Sequence, residues 1–272
     1  MRLLAAISFL LLSFTPLANT SELRIASLSP HMTEWLYSLG LGDNIVAVSA
    51  YSDYPVAAQK LPIVSDVNGI NLAKLMALKP NLIMAWQPNA KLGQLDKLKS
   101  LGYKVYISNP HSMGDISKEI AEVGELTNSQ AAASAYIENF EGRKSALELR
   151  YKTRATQRVF FQLWHAPLMT TNNSSMINEV LTICQLDNVF GEETAAYPTV
   201  NKEQVIYKKP EIIIVSDQTQ NSQGAQLWQK LTMIPAVANN RIYHVNPDHL
   251  HRYTERVLIA VESLCEQTQK NP

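Results

Sequence analysis

The chain has 272 residues, 46% hydrophobic and 18% charged, and its 24 basic and 24 acidic side chains leave no formal net charge. Such a chain folds, and it is long enough for one large domain or for two lobes with separate cores. The balanced charge leaves no broad basic surface for a phosphate backbone, so nucleic acid is excluded as the expected partner.

In chain order the first signal is a leader. Arg2 supplies a positive start, residues 3–14 are apolar, and residues 15–20 offer small side chains for cleavage, which together predict a secretory signal peptide over 1–20. About 12 apolar residues fall well short of the roughly 20 that span a bilayer. No cysteine follows the leader to carry a lipid, since Cys184 and Cys265 are the only two in the chain. In the oxidising compartment that an exported chain meets, they are expected to form a bridge rather than to stay as thiols.

Short apolar runs then alternate with helical ones. Strands are predicted at 25–28, 45–49, 82–85 and 104–107, with helices at 33–39, 72–78, 91–100 and 115–126. This alternation is the pattern of an α/β sheet. Residues 129–153 contain no proline and one glycine, with apolar side chains at Ala132, Ala135, Tyr136, Phe140, Leu147 and Leu149. One helix of about 37 Å is expected there at 1.5 Å per residue. Beyond it, strands at 159–163, 212–215 and 242–245 and helices at 176–183, 202–207, 226–231 and 254–267 repeat the style.

An internal repeat relates the halves, because residues 70–84 align with 200–214. In each copy an asparagine, Asn71 or Asn201, opens a short helix, a Lys-Pro pair, Lys79-Pro80 or Lys209-Pro210, stops it, and an apolar strand follows. The fold class expected is α/β: two similar α/β lobes, over 21–127 and 156–272, joined by a single long helix over 128–155 and leaving a ligand cleft between them.

Nothing in the sequence spells an enzyme. GxGxxG after a strand, GxxxxGK[ST], HExxH, CxxC and GxSxG are all absent. His249 and His251 stand two apart, so an extended segment would turn both to one side, and His31, His165 and His244 lie elsewhere. Imidazole is a common ligand for metals and haem. Without an accompanying cysteine or carboxylate cluster, these histidines are expected to be polar residues at a cleft, with no metal site. The aromatic residues carry more: Tyr51 and Tyr54, Trp86, and Trp164 each follow a predicted strand, and α/β sheets bind ligands beyond the carboxyl ends of their strands. Large flat side chains there suit a bulky, partly apolar ligand. Trp35 and Trp228, inside helical patterns, are expected in the core.

These segments also carry a family likeness. Leu28-Ser29-Pro30 with Thr33-Glu34, Val48-Ser49-Ala50-Tyr51-Ser52-Asp53-Tyr54-Pro55, Asn71-Leu72, the run from Leu78 to Trp86 and Glu203-Gln204-Val205 resemble the periplasmic vitamin B12-binding proteins, helical-backbone substrate-binding proteins of ABC importers. The resemblance implies cobalamin as cargo rather than a cofactor, no reaction performed on it, a periplasmic monomer, and delivery to an inner-membrane permease with its ATPase. It implies ligand contacts from Pro30, His31, Tyr51 and Trp86 in the first lobe, and from Trp164, Tyr197, Asp248, His249, Leu250, His251 and Arg252 in the second. It also matches Cys184 and Cys265 to the family disulfide and Glu203 to a glutamate that docks on the importer, where the first-lobe counterpart is Ala73. Two aromatic positions of the pattern are Val67 and Tyr197 in this chain. Haem and ferric siderophores remain as alternative cargoes, and an exported enzyme as a further one.

Overall fold

The computed structural model describes residues 22–89, 91–217 and 222–269; the leader expected over 1–20 lies outside them. Among the described residues no helix is long and apolar enough to cross a membrane.

The first sheet contains β1 (Ile25–Ser27), β2 (Ile45–Ser49), β3 (Ile63–Asp66), β4 (Gly69–Ile70), β5 (Leu82–Trp86) and β6 (Lys104–Ser108), in the order β4-β3-β2-β1-β5-β6. All neighbours are parallel except the β3–β4 hairpin. The first-lobe helices are α1 (Pro30–Ser38), α2 (Leu72–Ala77), α3 (Leu92–Ser100) and α4 (Met113–Thr127). Then comes α5, Gln130–Tyr151, whose 22 residues make about 33 Å of helix. The second lobe comprises β7 (Gln157–Gln162), β8 (Trp164–His165), β9 (Leu168–Met169), α6 (Met176–Ile183), β10 (Leu186–Asn188), α7 (Lys202–Lys208), β11 (Ile212–Ser216), α8 (Gln223–Gln226), α9 (Pro235–Ala238), β12 (Ile242–Val245), α10 (Pro247–Leu250) and α11 (Val257–Gln269). Its main sheet is parallel, in the order β10-β7-β11-β12. The fold is two α/β lobes joined through α5.

The strands read as unbroken apolar runs because both faces of each sheet are covered. Alternate residues enter different cores, as the two-residue period of a strand requires. In β1 and β5, Ile25, Leu82 and Met84 face one large core while Ala26, Ile83 and Ala85 face a smaller one with Leu75, Leu95 and Leu98. In β7 and β11, Val159, Phe161, Ile212 and Ile214 enter that same large core, and Phe160, Ile213 and Val215 enter another around Trp228. Tyr136, Phe140 and Leu147 of α5 belong to the shared core. The two inner sheet faces are therefore bound to one helix by one continuous apolar cluster, which restrains the hinge between the lobes.

The repeat is real in three dimensions. Asn71 and Asn201 each accept a backbone hydrogen bond at the N-terminus of their helix. Lys79 and Lys209 both take left-handed φ, 49° and 47°, just before proline. The amides of Asn81 and Glu211 then bond to the carbonyls of Arg24 and Arg158 at 2.9 Å, bringing β5 and β11 alongside β1 and β7.

Several expected boundaries move. The helix expected at 226–231 is the four-residue α8, opened earlier by Ser222, whose hydroxyl accepts from the amide of Ala225, with turns after it. The last helix starts at Val257 rather than 254 because Arg252–Arg256 form turns held by the Thr254 amide on the carbonyl of Arg252. The short strands β3, β4, β8, β9 and β10 were not legible as periodic runs.

Candidate functional site

The first-lobe side of the cleft is a cavity of about 330 Å³ at the carboxyl ends of β1, β2, β3 and β5. Tyr51, immediately beyond β2, takes φ 64° and holds its ring 75% exposed; an aromatic residue in this region is unusual and marks a turn under constraint. Trp86, the last residue of β5, is half-buried and lines the cavity, as does Pro30 at the first turn of α1.

Behind Trp86 stands His31, which is 3% exposed. Its Nε2 lies 3.0 Å from Ser108 Oγ, and that hydroxyl donates to the Glu119 carboxylate at 2.6 Å. Having given its one proton to Glu119, Ser108 accepts from His31, so the ring carries hydrogen on Nε2 and accepts at Nδ1 from Ser29 Oγ, 2.5 Å away. The neutral ring meets Trp35, Trp86 and Tyr253 edge-on, with centroids at 4.9, 5.6 and 6.0 Å. Burial, reinforced by the nearby Arg252 charge, lowers the His31 pKa to about 3.

On the second-lobe side Trp164, in β8, is 55% exposed with its indole nitrogen donating to the carbonyl of Ala166 at 3.0 Å, and Tyr197 is 43% exposed. Tyr253, a residue that no sequence signal singled out, has its pKa raised chiefly by burial, with Tyr197 adding to the effect. The indole of Trp35 donates to the backbone of Tyr253 at 2.8 Å, across the lobes.

Residues 247–250 form a helix with Pro247 at its first position, which corrects the extended segment expected for His249 and His251. Two positions apart on a helix point to different sides. His249 is partly exposed, with its pKa lowered by burial and by Arg256. His251 turns back to Ser216, Nε2 to Oγ 2.9 Å, and burial lowers its pKa to about 4 against the pull of Asp248. Leu250 is 1% exposed and packs in the shared core.

Arg252 is 8% exposed and ties the lobes together. Its Nη1 donates to Glu34 at 2.8 Å and Asp53 at 2.7 Å, and its Nη2 to Asp248 at 2.9 Å. Arg256 donates to the same Glu34 oxygen at 2.9 Å and stacks 4.3 Å from the Tyr54 ring. Burial alone would lower the Arg252 pKa; its hydrogen bonds to Asp53 and Glu34 outweigh that and raise it. Of the expected contact residues, then, Pro30, Tyr51, Trp86, Trp164, Tyr197, Asp248 and His249 stand at or near accessible surface. His31, Leu250 and Arg252 are buried and occupied within the protein by internal polar partners or by the core, while His251, partly exposed, is tied to Ser216 through Nε2.

The two low histidine pKa values fix a pH dependence. Each imidazole binds its proton in the unfolded chain below pH about 6.5 but not in the folded one until near 4 or 3, so stability is full above 6.5 and falls as pH drops from there towards 4. The expected loss is about 1.4 kcal/mol per pH unit for each group. Urea midpoints measured between pH 7 and 4.5 check it: in His31→Phe the slope from this residue is gone, and a slope equal to that of the unaltered chain would contradict the assignment.

Away from the cleft, Glu203 is exposed in the first turn of α7, and Cys184 and Cys265 form a disulfide. Among the described residues no group of His, Cys, Asp and Glu is arranged to hold a metal ion.

Residues 25–249 match the model of the periplasmic binding protein family. A vitamin B12-binding protein of Vibrio vulnificus is 36% identical over 266 residues, covering 97% of each chain. The crystal structure of the periplasmic vitamin B12 binding protein of Vibrio cholerae superposes with a TM-score of 0.82 at 34% identity, covering 91% of this chain and 97% of that one. A periplasmic heme binding protein of Vibrio cholerae reaches a TM-score of 0.80 at 20% identity, over 93% of this chain and 100% of the other, which is a likeness of fold.

Proposed function

Because this chain belongs to the periplasmic binding protein family, we propose that it captures cobalamin in the cleft between its lobes and releases it, chemically unchanged, to an ABC importer of the inner membrane. The observation that carries this reading is the pairing of near-full-length similarity to vitamin B12-binding proteins with aromatic side chains on both sides of the cleft. Tyr51 and Trp86 would face the cargo from one lobe and Trp164 and Tyr197 from the other, with Asp248 and His249 offering polar contacts at the edge. The chain then works in the periplasm as a monomer, with residues 21–127 and 156–272 as the lobes and 128–155 as the connection.

Haem is the less favoured cargo. Of the axial ligands the sequence offers, Tyr51, His31 and His249, His31 has both ring nitrogens engaged by serines, which leaves Tyr51 and His249. The heme-binding structure shares 20% identity against 34% for the vitamin B12-binding one. A ferric siderophore would call for cationic side chains open to an anionic chelate, whereas Arg252 is enclosed by three carboxylates.

Calorimetric titration of the mature protein tests the reading. Cyanocobalamin is expected to bind one-to-one and tighter than about 1 μM, roughly −8 kcal/mol, and Trp86→Ala to weaken it by about 1 kcal/mol or more while leaving the fold intact. Binding of haemin but not cyanocobalamin would overturn it. Glu203 is the docking residue in this proposal, exposed beside Tyr207 on α7. Glu203→Arg should lower cobalamin uptake by cells and leave the titration unchanged; undiminished uptake would remove that role.

A further inference from the structure

Resting on the cobalamin reading, we propose that Glu179 is a positioning residue for cargo capture: it reaches from the second lobe onto the N-terminus of α4 in the first and sets the spacing at which the two cleft walls stand before the cargo arrives.

The apolar cluster that α5 shares with both lobes holds them together, but apolar contact is non-directional and does not by itself fix how one body stands on the other. Hydrogen bonds and ion pairs do, because they have a preferred length and angle. Arg252, Tyr253 and Arg256 supply several, all from one short segment of the second lobe, to Glu34, Trp35 and Asp53 of the first. Two bodies joined at one such place still pivot about it. Glu179 supplies an attachment elsewhere, from α6, where its two carboxylate oxygens accept the amide of Met113 at 3.3 and 3.2 Å.

The first-lobe partner suits this role. Met113 is the first residue of α4, and the amides of a helix's first turn have no partner within the helix. The chain satisfies one of them locally: Ser112 Oγ accepts from the Asp115 amide, while the Asp115 carboxylate turns back to the amides of His111 and Ser112. Met113 takes its acceptor from the other lobe instead, and the positive end of this 15-residue helix favours a carboxylate there. The helix is in turn fixed to α5. A Cβ added at Gly124 would lie 2.6 Å from Ala133 Cβ, and Ser117 Oγ donates to Glu141 at 2.5 Å. Glu179 therefore grips a unit of two closely packed helices. Burial raises its pKa; the Met113 amide and the Lys144 ammonium on α5 oppose that, and Asp115 and Glu148 add to it.

A cargo that touches both walls binds only those molecules whose walls already stand at the right spacing, and apparent affinity falls in proportion as that fraction falls. Glu179 acts on the fraction without touching the cargo, so its removal slows association and leaves dissociation alone.

Pulsed electron paramagnetic resonance between spin labels at Lys99→Cys and Lys230→Cys, exposed on opposite lobes, reads the interlobe distance in the cargo-free protein. Stopped-flow mixing with cyanocobalamin reads both rate constants. Glu179→Ala is expected to broaden the distance distribution and to lower the association rate about fivefold with dissociation unchanged. Glu179→Gln keeps an acceptor in place and is expected to recover most of that loss. An unaltered distribution, a loss carried by the dissociation rate, or a glutamine variant no better than the alanine one overturns the positioning role. Should Glu179→Ala not fold, Glu179→Asp, one methylene short of the amide, carries the test with the same signs. If the unaltered protein binds no corrinoid, the cobalamin reading fails, and the distance distributions still decide whether Glu179 sets the spacing of the lobes.

Discussion

Arg252→Ala lowers the stability of the folded protein by about 3 kcal/mol, read as a shift in the urea unfolding midpoint. The size follows from what is left behind. The Glu34 side chain is 4% exposed and the Arg252 side chain 10%, so their 2.8 Å pair is desolvated, and removing one member of a buried pair typically costs about 3–5 kcal/mol. The lower end applies because Arg256 still reaches the same Glu34 oxygen at 2.9 Å. Asp53 and Asp248, with side chains 49% and 38% exposed, contribute little, since water screens such pairs. Arg252→Lys should recover less than half of the loss, because one ammonium cannot reproduce the two-nitrogen fork that serves three carboxylates. A loss below about 1 kcal/mol for Arg252→Ala would mean that the network is energetically neutral. Since Glu34 and Asp53 stand on the first lobe and Arg252 on the second, the substitution also removes two of the guanidinium contacts between the lobes and leaves the one from Arg256 to Glu34.

Cys184→Ala with Cys265→Ala has the largest expected effect, a loss of about 4 kcal/mol. The bridge closes a span of 81 residues, and loop closure of that length restricts the unfolded chain by about this much in the chain-entropy model. It also joins the end of α6 to α11, two helices that share the large core with α5. Cys184 and Cys265 are 3% and 0% exposed, so a reductant should act slowly on the native protein and rapidly in urea. Thiol labelling after each treatment checks that difference, and equal rates would show that the region opens without global unfolding.

Much of the architecture was legible because it is local. The Lys-Pro stops, the asparagine caps and the proline-free stretch around α5 each act on a few neighbouring residues, and every one operates in the structure. The long parallel strands announced themselves as apolar runs. The strands β3, β4 and β10 are too short for periodicity to appear, and β4 follows from a hairpin whose close approach depends on Gln94, 24 residues away from Ile70.

For the site, sequence by itself determined which residue types stand at the ends of the strands: Tyr51 after β2 and Trp86 at the end of β5, with exposed Trp164 and Tyr197 in the second lobe. It also led to the expectation that the two cysteines should meet, as they do. What only the tertiary structure decided is which polar side chains face the cleft and which are consumed inside the protein. His31 is fixed by Ser108, 77 residues on, and Arg252 by Glu34, 218 residues back. The protonation, burial and orientation of such groups depend on partners that the path of the whole chain brings near, and no local pattern encodes a contact made at that distance.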